Sequence, residues 1–245
     1  MQRYFSSKKE DNFFILSEND MYHIKTVMRM RENDKVEVVF NNELYICSID
    51  KDYNIKEIEK IDIRKNQSIY KILCIPLLQE QKMDFVLQKA TELGIDEIIP
   101  IITTRSVIRL KDNMDKKLTR WQKIIKEASE QAKRLDIPKL NEIKKIDELN
   151  IDGLKIICST KEKDNTIKKV LQKYSKCDTM VIVVGPEGGL TSEEEEKLMQ
   201  KEFVPVTLGD NILRVETVPI YLLSVMNYEL MEWFYEYYFN ASFYL

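Results

Sequence analysis

The chain has 245 residues, room for a small domain beside a medium one, each with a core of its own. Hydrophobic residues make up 44% and charged residues 32%, a globular composition that excludes a disordered chain. A net charge of −3 excludes a coat for nucleic acid, and the absence of an apolar signal core or a bilayer-length apolar run predicts a cytoplasmic protein with no membrane partner.

Charge and cysteine add detail. Residues 105–134 carry ten Lys or Arg against four Asp or Glu, a local +6, whereas residues 151–245 carry ten against fifteen, a local −5. Such a basic stripe either steers a polyanion or is a solvated helix face. Cys47, Cys74, Cys158 and Cys177 have no CxxC spacing, which predicts reduced, ordinary thiols. His23 is the only histidine, so a His-based triad and a multi-histidine metal site are excluded, and no metal is expected.

In chain order, the first seventy residues hold short β-rich runs: Phe13–Leu16, Lys35–Phe40, Glu43–Ile49 and Ile58–Ile63. Turn signals at Glu32-Asn33-Asp34 and Asn41-Asn42 separate them, and the alternation predicts a small antiparallel barrel over 1–68. One helix from Asp20 to about Met30 interrupts it, and Asn66-Gln67-Ser68 marks its end. From residue 69 to 245 strands and helices alternate, which predicts an α/β domain with a mostly parallel sheet and helices on both faces. Lys71–Leu78 reads as a buried strand. Met83, Val86, Leu87, Ala90 and Leu93 share one helical face, and Gly94 supplies the stop. Glu97–Ile102 is the next strand. Leu118, Trp121, Ile125, Ala128, Ala132 and Leu135 make a long amphipathic helix closed before Pro138. Strands at 155–158, 180–184 and 203–208 follow. The last fifteen residues hold eight aromatics, suited to packing against the core or a second subunit, or to base stacking.

Four of the six glycines fall between Gly185 and Gly209. They belong to Gly185-Pro186-Glu187-Gly188-Gly189 and Leu208-Gly209-Asp210-Asn211-Ile212-Leu213-Arg214, each closing an apolar strand and preceding a helical pattern. Strand-to-helix turns line up along the carboxyl edge of an α/β sheet, so the pair reads as one site, although each loop alone also fits a plain tight turn. Thr191 or Ser192 can cap the helix after the first loop, with Glu194 or Glu195 closing a capping box. That acidic helix start, with no lysine behind the glycines, disfavours a nucleoside triphosphate. After the second loop, Thr217 suits the N-cap with Pro219 in the first turn. Leu208, Ile212 and Leu213 suit an adenine-like ring held by backbone amides. Arg214 and Glu216 read either as an ion pair bracing the loop or as groups acting on a ligand.

The two glycine motifs in this order, with Arg214-x-Glu216-Thr217 after the second, resemble the SPOUT methyltransferases, and specifically the 16S ribosomal RNA uridine-N3 methyltransferases (the RsmE family). Arg3-Tyr4-Phe5, His23-x-x-x-Val27-x-Arg29-Met30, Lys82-Met83-Asp84, Gln88-Lys89-x-x-Glu92-Leu93-Gly94, Thr104-Arg105-Ser106-Val107 and Trp121-Gln122-Lys123-Ile124 through Glu130-Gln131 extend it over nearly the whole chain. The resemblance implies a PUA-like RNA-binding barrel at 1–68, a trefoil-knotted methyltransferase domain at 69–245, a homodimer, and ribosomal RNA or the small ribosomal subunit as partner. It implies S-adenosylmethionine held by Thr160, Gly185, Pro186, Glu187, Gly188, Gly189, Leu208, Gly209, Ile212, Leu213 and Arg214. RNA would meet Arg3, His23, Arg29, Arg31, Lys89, Arg105, Lys133 and Arg134. Val215 and Val218 depart from the family pattern beside the loop, and Asp136 places a negative charge on the expected RNA face.

Uracil N3 lies on the Watson–Crick edge and carries a proton, so the base must be splayed out and charge developing on its oxygens stabilised. Arg214 is the first candidate for that role and Arg105 the second; Glu216 either orients Arg214 or helps take the proton. Beside methylation of another RNA nucleotide by the same kind of enzyme, two other readings stay open. One is a noncatalytic RNA-binding assembly factor on the same scaffold, which intact glycines and Arg214 oppose. The other is an enzyme acting on a small nucleotide, which the acidic helix start opposes.

Overall fold

The computed structural model describes residues 1–63, 69–106, 114–173 and 177–241, with side chains in the last helix as far as Glu229. The expected boundary at Asn66–Ser68, Val107 of the Thr104 motif and the side chains of the aromatic tail lie outside the described residues. Backbone packing divides the chain into two units. One comprises Met1–Gln67 with Ile125–Ile137, the other Ser68–Ile124 with Pro138–Leu245.

The first unit contains β1 (Arg3–Phe5), β2 (Lys8–Glu10), β3 (Phe13–Ile15), α1 (Glu18–Tyr22), β4 (Lys35–Phe40), β5 (Glu43–Ile49) and β6 (Ile55–Ile61). They form one sheet in the order β1-β4-β5-β6-β3-β2. Alternation puts Val36, Val38, Tyr45, Cys47, Ile49 and Ile55 on one face, where they pack with Tyr4, Phe14, Leu16 and Ile24. The expectation of a wholly antiparallel sheet needs one correction: β1 runs parallel to β4, pairing Arg3 with Glu37 and Phe5 with Val39. The expected helix also differs. Ser17 caps α1 in a capping box with Asp20, so the helix starts at Glu18. It passes at His23–Val27 into a π-helix, with the Met28 amide donating to His23 O at 2.8 Å, and Arg29 in the left-handed region (φ 52°) prevents continuation.

The second unit contains β7 (Tyr70–Pro76), α2 (Glu80–Glu92), β8 (Glu97–Ile102), α3 (Met114–Gln131), β9 (Lys139–Leu140), β10 (Lys144–Lys145), β11 (Leu154–Cys158), α4 (Ile167–Lys173), β12 (Thr179–Val183), α5 (Ser192–Gln200), β13 (Val204–Val206) and α6 (Thr217–Ala241). The residues of α3 from Ile125 onward belong to the first unit. The sheet order is β10-β8-β7-β12-β11-β13, with β9 also on β8 and every pairing parallel. Six consecutive residues of β7, Lys71–Pro76, are buried, as expected of a central parallel strand covered on both faces. Ile98, Ile99 and Ile101 of β8 are at most 1% exposed, each stabilising the fold by roughly 1.5–3 kcal/mol. Gly94 follows α2 at φ +81°, as the sequence predicts.

Several boundaries move. Helix α3 ends at Gln131, and Lys133 at φ 59° turns the chain, so Ala132 and Leu135 lie beyond the helix. The last strand shortens to Val204–Val206 because Thr207 turns to accept Ile167 N–H and donate to Asn165 O. Thr217 is the first helical residue of α6, not its cap; its amide and that of Val218 donate to Arg214 O at 2.9 and 3.2 Å.

Candidate active site

The chain leaves β7 for β8 on one side and later fills the other side with β11, β12 and β13, so strand order reverses between β7 and β12. Ligands of parallel sheets bind beyond the carboxyl ends of the strands at such a switch point. The segment after β12 is Val184–Leu190, and the one after β7 leads into the first turn of α2. Those after β8, β11 and β13 carry Arg105, Thr160 and Leu208–Arg214. Every residue expected to hold a cofactor lies on these loops.

The first glycine loop is tightly held. Gly189 N–H donates to Pro186 O at 2.8 Å, and Gly189 takes φ +71°, which its missing Cβ allows. A Cβ at Gly185 would meet the Leu190 amide nitrogen at 3.1 Å, and one at Gly188 would meet Arg105 Cδ at 3.3 Å. Arg105 Nη1 donates to Gly188 O at 2.7 Å. Thr191 caps α5 with Glu194 closing the box, and Glu194 Oε1 also accepts from Thr104 N–H at 2.7 Å and Thr104 Oγ1 at 3.0 Å. Burial alone would raise the Glu194 pKa, but these bonds from Thr191 and Thr104 hold it below the usual glutamate value. Glu195 reaches Ser159 Oγ at 3.1 Å and Lys161 Nζ at 2.7 Å. The acidic helix start therefore ties neighbouring loops together, with Glu194 bound to the loop after β8 and Glu195 to the loop after β11.

The second loop is open. Gly209 adopts φ +120° with no heavy atom within 4 Å of where a Cβ would stand, and Ile212 is 84% exposed. Leu208 and Leu213 are half-buried and Arg214 is exposed. Among the described residues no ion pair joins Arg214 to Glu216, which corrects that reading. Glu216 instead lies 3.8 Å from Lys82 Nζ through Oε2, a buried oxygen with no hydrogen-bond partner. Lys82 also pairs with Glu187 of the first loop, and its hydrogen bond to Glu187 holds the ammonium above its ordinary pKa. Lys82 thus bridges the two loops, a role the sequence reading gave to no residue. Its one signal was its place at the head of the Lys82-Met83-Asp84 motif.

Candidate RNA residues separate sharply. Arg3 is only 6% exposed; it donates through Nε to Glu37 at 2.8 Å and through Nη1 to the carbonyls of Lys133 and Arg134, so it braces the first unit instead of facing solvent. His23 is half-buried with Nδ1 2.9 Å from Tyr4 Oη. Lys89 pairs with Glu92 at 2.8 Å, Lys133 with Glu37 at 3.0 Å and Arg134 with Asp136 at 2.7 Å, so Asp136 answers a neighbouring arginine. Arg29 and Arg31 are exposed, and neither side chain pairs with a carboxylate among the described residues. Exposed Tyr22, Val27 and Met28 accompany them, and Lys25 Nζ lies 4.7 Å from the Tyr53 ring centroid.

A parallel α/β sheet with a glycine-lined carboxyl edge and a separate small β-sheet are the two parts that comparison with known proteins assigns to RNA methyltransferases. Residues 65–227 match the model of the RNA methyltransferase domain and residues 16–59 that of the RNA methyltransferase PUA domain. The chain belongs to the ribosomal RNA small subunit methyltransferase E family. It is 32% identical over 248 residues to the member from Bacillus subtilis (strain 168), covering 94% of this chain and 97% of that one. The member from Mesomycoplasma hyopneumoniae (strain 232) is 32% identical over 229 residues, covering 91% and 98%. Among solved structures, the family member from Neisseria gonorrhoeae bound to S-adenosyl methionine superposes with a TM-score of 0.81 at 26% identity, over 92% of this chain and 96% of that one. No helix among the described residues is long and apolar enough to cross a membrane.

Proposed function

We propose that the protein transfers a methyl group from S-adenosylmethionine to N3 of a uridine in small-subunit ribosomal RNA. The observation that carries this reading is the chemistry of the loop pair. The crevice offers glycine backbone and apolar side chains. Of the cations beside it, Lys82 is committed to Glu187 and Arg105 to the Gly188 carbonyl, which leaves Arg214 as the one exposed guanidinium on the two glycine loops. That donor set suits an uncharged purine and a positive sulfur, and it does not suit a row of phosphates. The relatives, which are small-subunit ribosomal RNA methyltransferases, and the S-adenosyl methionine bound in the Neisseria structure support the RNA class and the cofactor.

When bound, the cofactor supplies an electrophilic methyl on a sulfonium, so the protein's task is chiefly alignment. Gly185, Pro186, Glu187, Gly188 and Gly189 form one wall, with Leu208, Gly209, Ile212, Leu213 and Arg214 as the other and Thr160 at the rim. Lys82 keeps the walls in register through Glu187 and Glu216. Exposed Arg214 offers a guanidinium to the uracil oxygens, where negative charge grows as the N3 proton leaves. Arg105 acts first as a brace of the Gly188 carbonyl and second as a further donor. Glu216 holds its buried Oε2 toward Lys82, and its carboxylate either orients Arg214 or takes the proton from N3 through the other oxygen.

Residues 1–68 act as the RNA-binding domain through Arg29 and Arg31, and residues 69–245 as the methyltransferase domain with its trefoil knot. The protein works as a homodimer in the cytoplasm. Incubation of the purified protein with labelled S-adenosylmethionine and small ribosomal subunits tests the activity: label in RNA is expected, and none would refute it. Sedimentation equilibrium tests the dimer.

A further inference from the structure

A second cleft opens beside the first turn of α2, lined by Leu78, Glu80, Lys116, Lys117, Arg120 and Trp121, with a volume of about 230 Å³. Its floor is apolar, since Leu78 is 7% and Trp121 4% exposed. At the rim Arg120 pairs with both Glu80 and Asp84, which answers the carboxylates there. Among the described residues nothing pairs with Lys116 or Lys117, so the lining keeps a net positive charge. The volume falls below the roughly 300–1,000 Å³ of clefts that take drug-sized ligands, so the cleft suits a single small ring.

Its position adds the rest. Leu78 follows β7, the strand at the switch point, and Glu80 begins α2, the helix that also carries Lys82. Residues two apart on a helix do not face one another, so Glu80 and Lys82 present different sides of the same turn. The cleft is therefore a neighbour of the loop pair and not part of it. We infer that it receives a nucleotide of the RNA strand flanking the target uridine, its base on the Leu78–Trp121 floor and its phosphates on Lys116 and Lys117. This rests on RNA being the substrate, and it explains how a splayed-out base is kept in place while its neighbours are held.

Lys116→Glu/Lys117→Glu and, separately, Leu78→Phe test it in the full-length protein. Affinity for a single-stranded RNA of small-subunit sequence is read by fluorescence anisotropy across a salt series. Methyl transfer and S-adenosylmethionine binding are read alongside. The lysine pair should weaken RNA binding roughly tenfold and lower the slope of log affinity against log salt by about 1.4, the value for two phosphates on a single strand. kcat at saturating RNA and cofactor affinity should hold. Leu78→Phe should weaken RNA binding with the slope unchanged; should it fail to fold, the lysine pair decides alone. Unchanged RNA affinity and slope in the lysine pair would overturn the cleft and leave the methylation reading standing, and so would an equal loss of cofactor affinity. Wild-type protein that binds RNA but transfers no methyl would overturn the functional reading, while the binding arms still judge the cleft.

Discussion

The two glycine loops follow β12 and β13, the strands on either side of β11, yet they are held in opposite ways. The first is fastened from several directions: Arg105 on the Gly188 carbonyl, Lys82 on Glu187, and Glu194 linking the cap of α5 to Thr104. The second is fastened at its ends only, by the Gly209 amide on Thr207 Oγ1 at 3.3 Å and by the amides of Thr217 and Val218 on Arg214 O. Between those ends Ile212 projects into solvent. On the proposed function, the contrast is a division of labour between a wall fixed by many bonds and a wall fixed by few.

The largest expected effect falls on the loose wall. Arg214→Lys should reduce kcat by roughly 10²–10³, the usual loss for one oxyanion donor, while calorimetric affinity for S-adenosylmethionine stays the same. Equal losses in both would make Arg214 a cofactor ligand only. Next comes the rigid wall. Glu194→Ala leaves Thr104 and Thr191 donors without their acceptor and should lower stability by about 1–3 kcal/mol in urea titration. Gly209→Ala should weaken cofactor affinity more than it lowers the unfolding midpoint: nothing crowds the added methyl, and the strain of φ +120° is relieved by a shift of a loop held at few points. If Gly209→Ala unfolds the protein and Glu194→Ala does not, the contrast between the loops is wrong. Lys82→Ala should raise KM for S-adenosylmethionine roughly twofold to fivefold, the modest scale of an exposed ion pair, with Lys82→Arg restoring it.

The smallest effect is a pH dependence shared by both units. Burial raises Glu37, but hydrogen bonds from Lys133 and Arg3 prevail and its pKa lies below the ordinary 4.5; Glu194 is lowered likewise. Carboxyls lowered on folding contribute stability that is complete above the unfolded value and lost as pH falls through the folded one. Stability should therefore decline below about pH 4.5, and Glu194→Gln should shallow that decline. An unchanged profile would remove Glu194 from the account.

What the sequence revealed divides along similar lines. The glycine loops, the α5 capping box and the α/β alternation were legible because each is written in neighbouring residues. Lys82 was not legible as a bridge, since its partner Glu187 lies 105 positions away. Arg3 misled for a related reason. A basic residue near an RNA-binding motif reads as outward-facing, and only the fold brings Glu37 and the carbonyls of Lys133 and Arg134 around it. The parallel pairing of β1 with β4 and the π-turn at His23 likewise depend on packing that local alternation does not record.

One measurement bears most directly on the central claim. Mass spectrometry of nucleosides from small-subunit RNA should find 3-methyluridine in cells carrying this chain, lose it on deletion, and recover it with the wild-type protein but not with Arg214→Lys. Undiminished 3-methyluridine after deletion, or the loss of a different methylated nucleoside, would contradict the account.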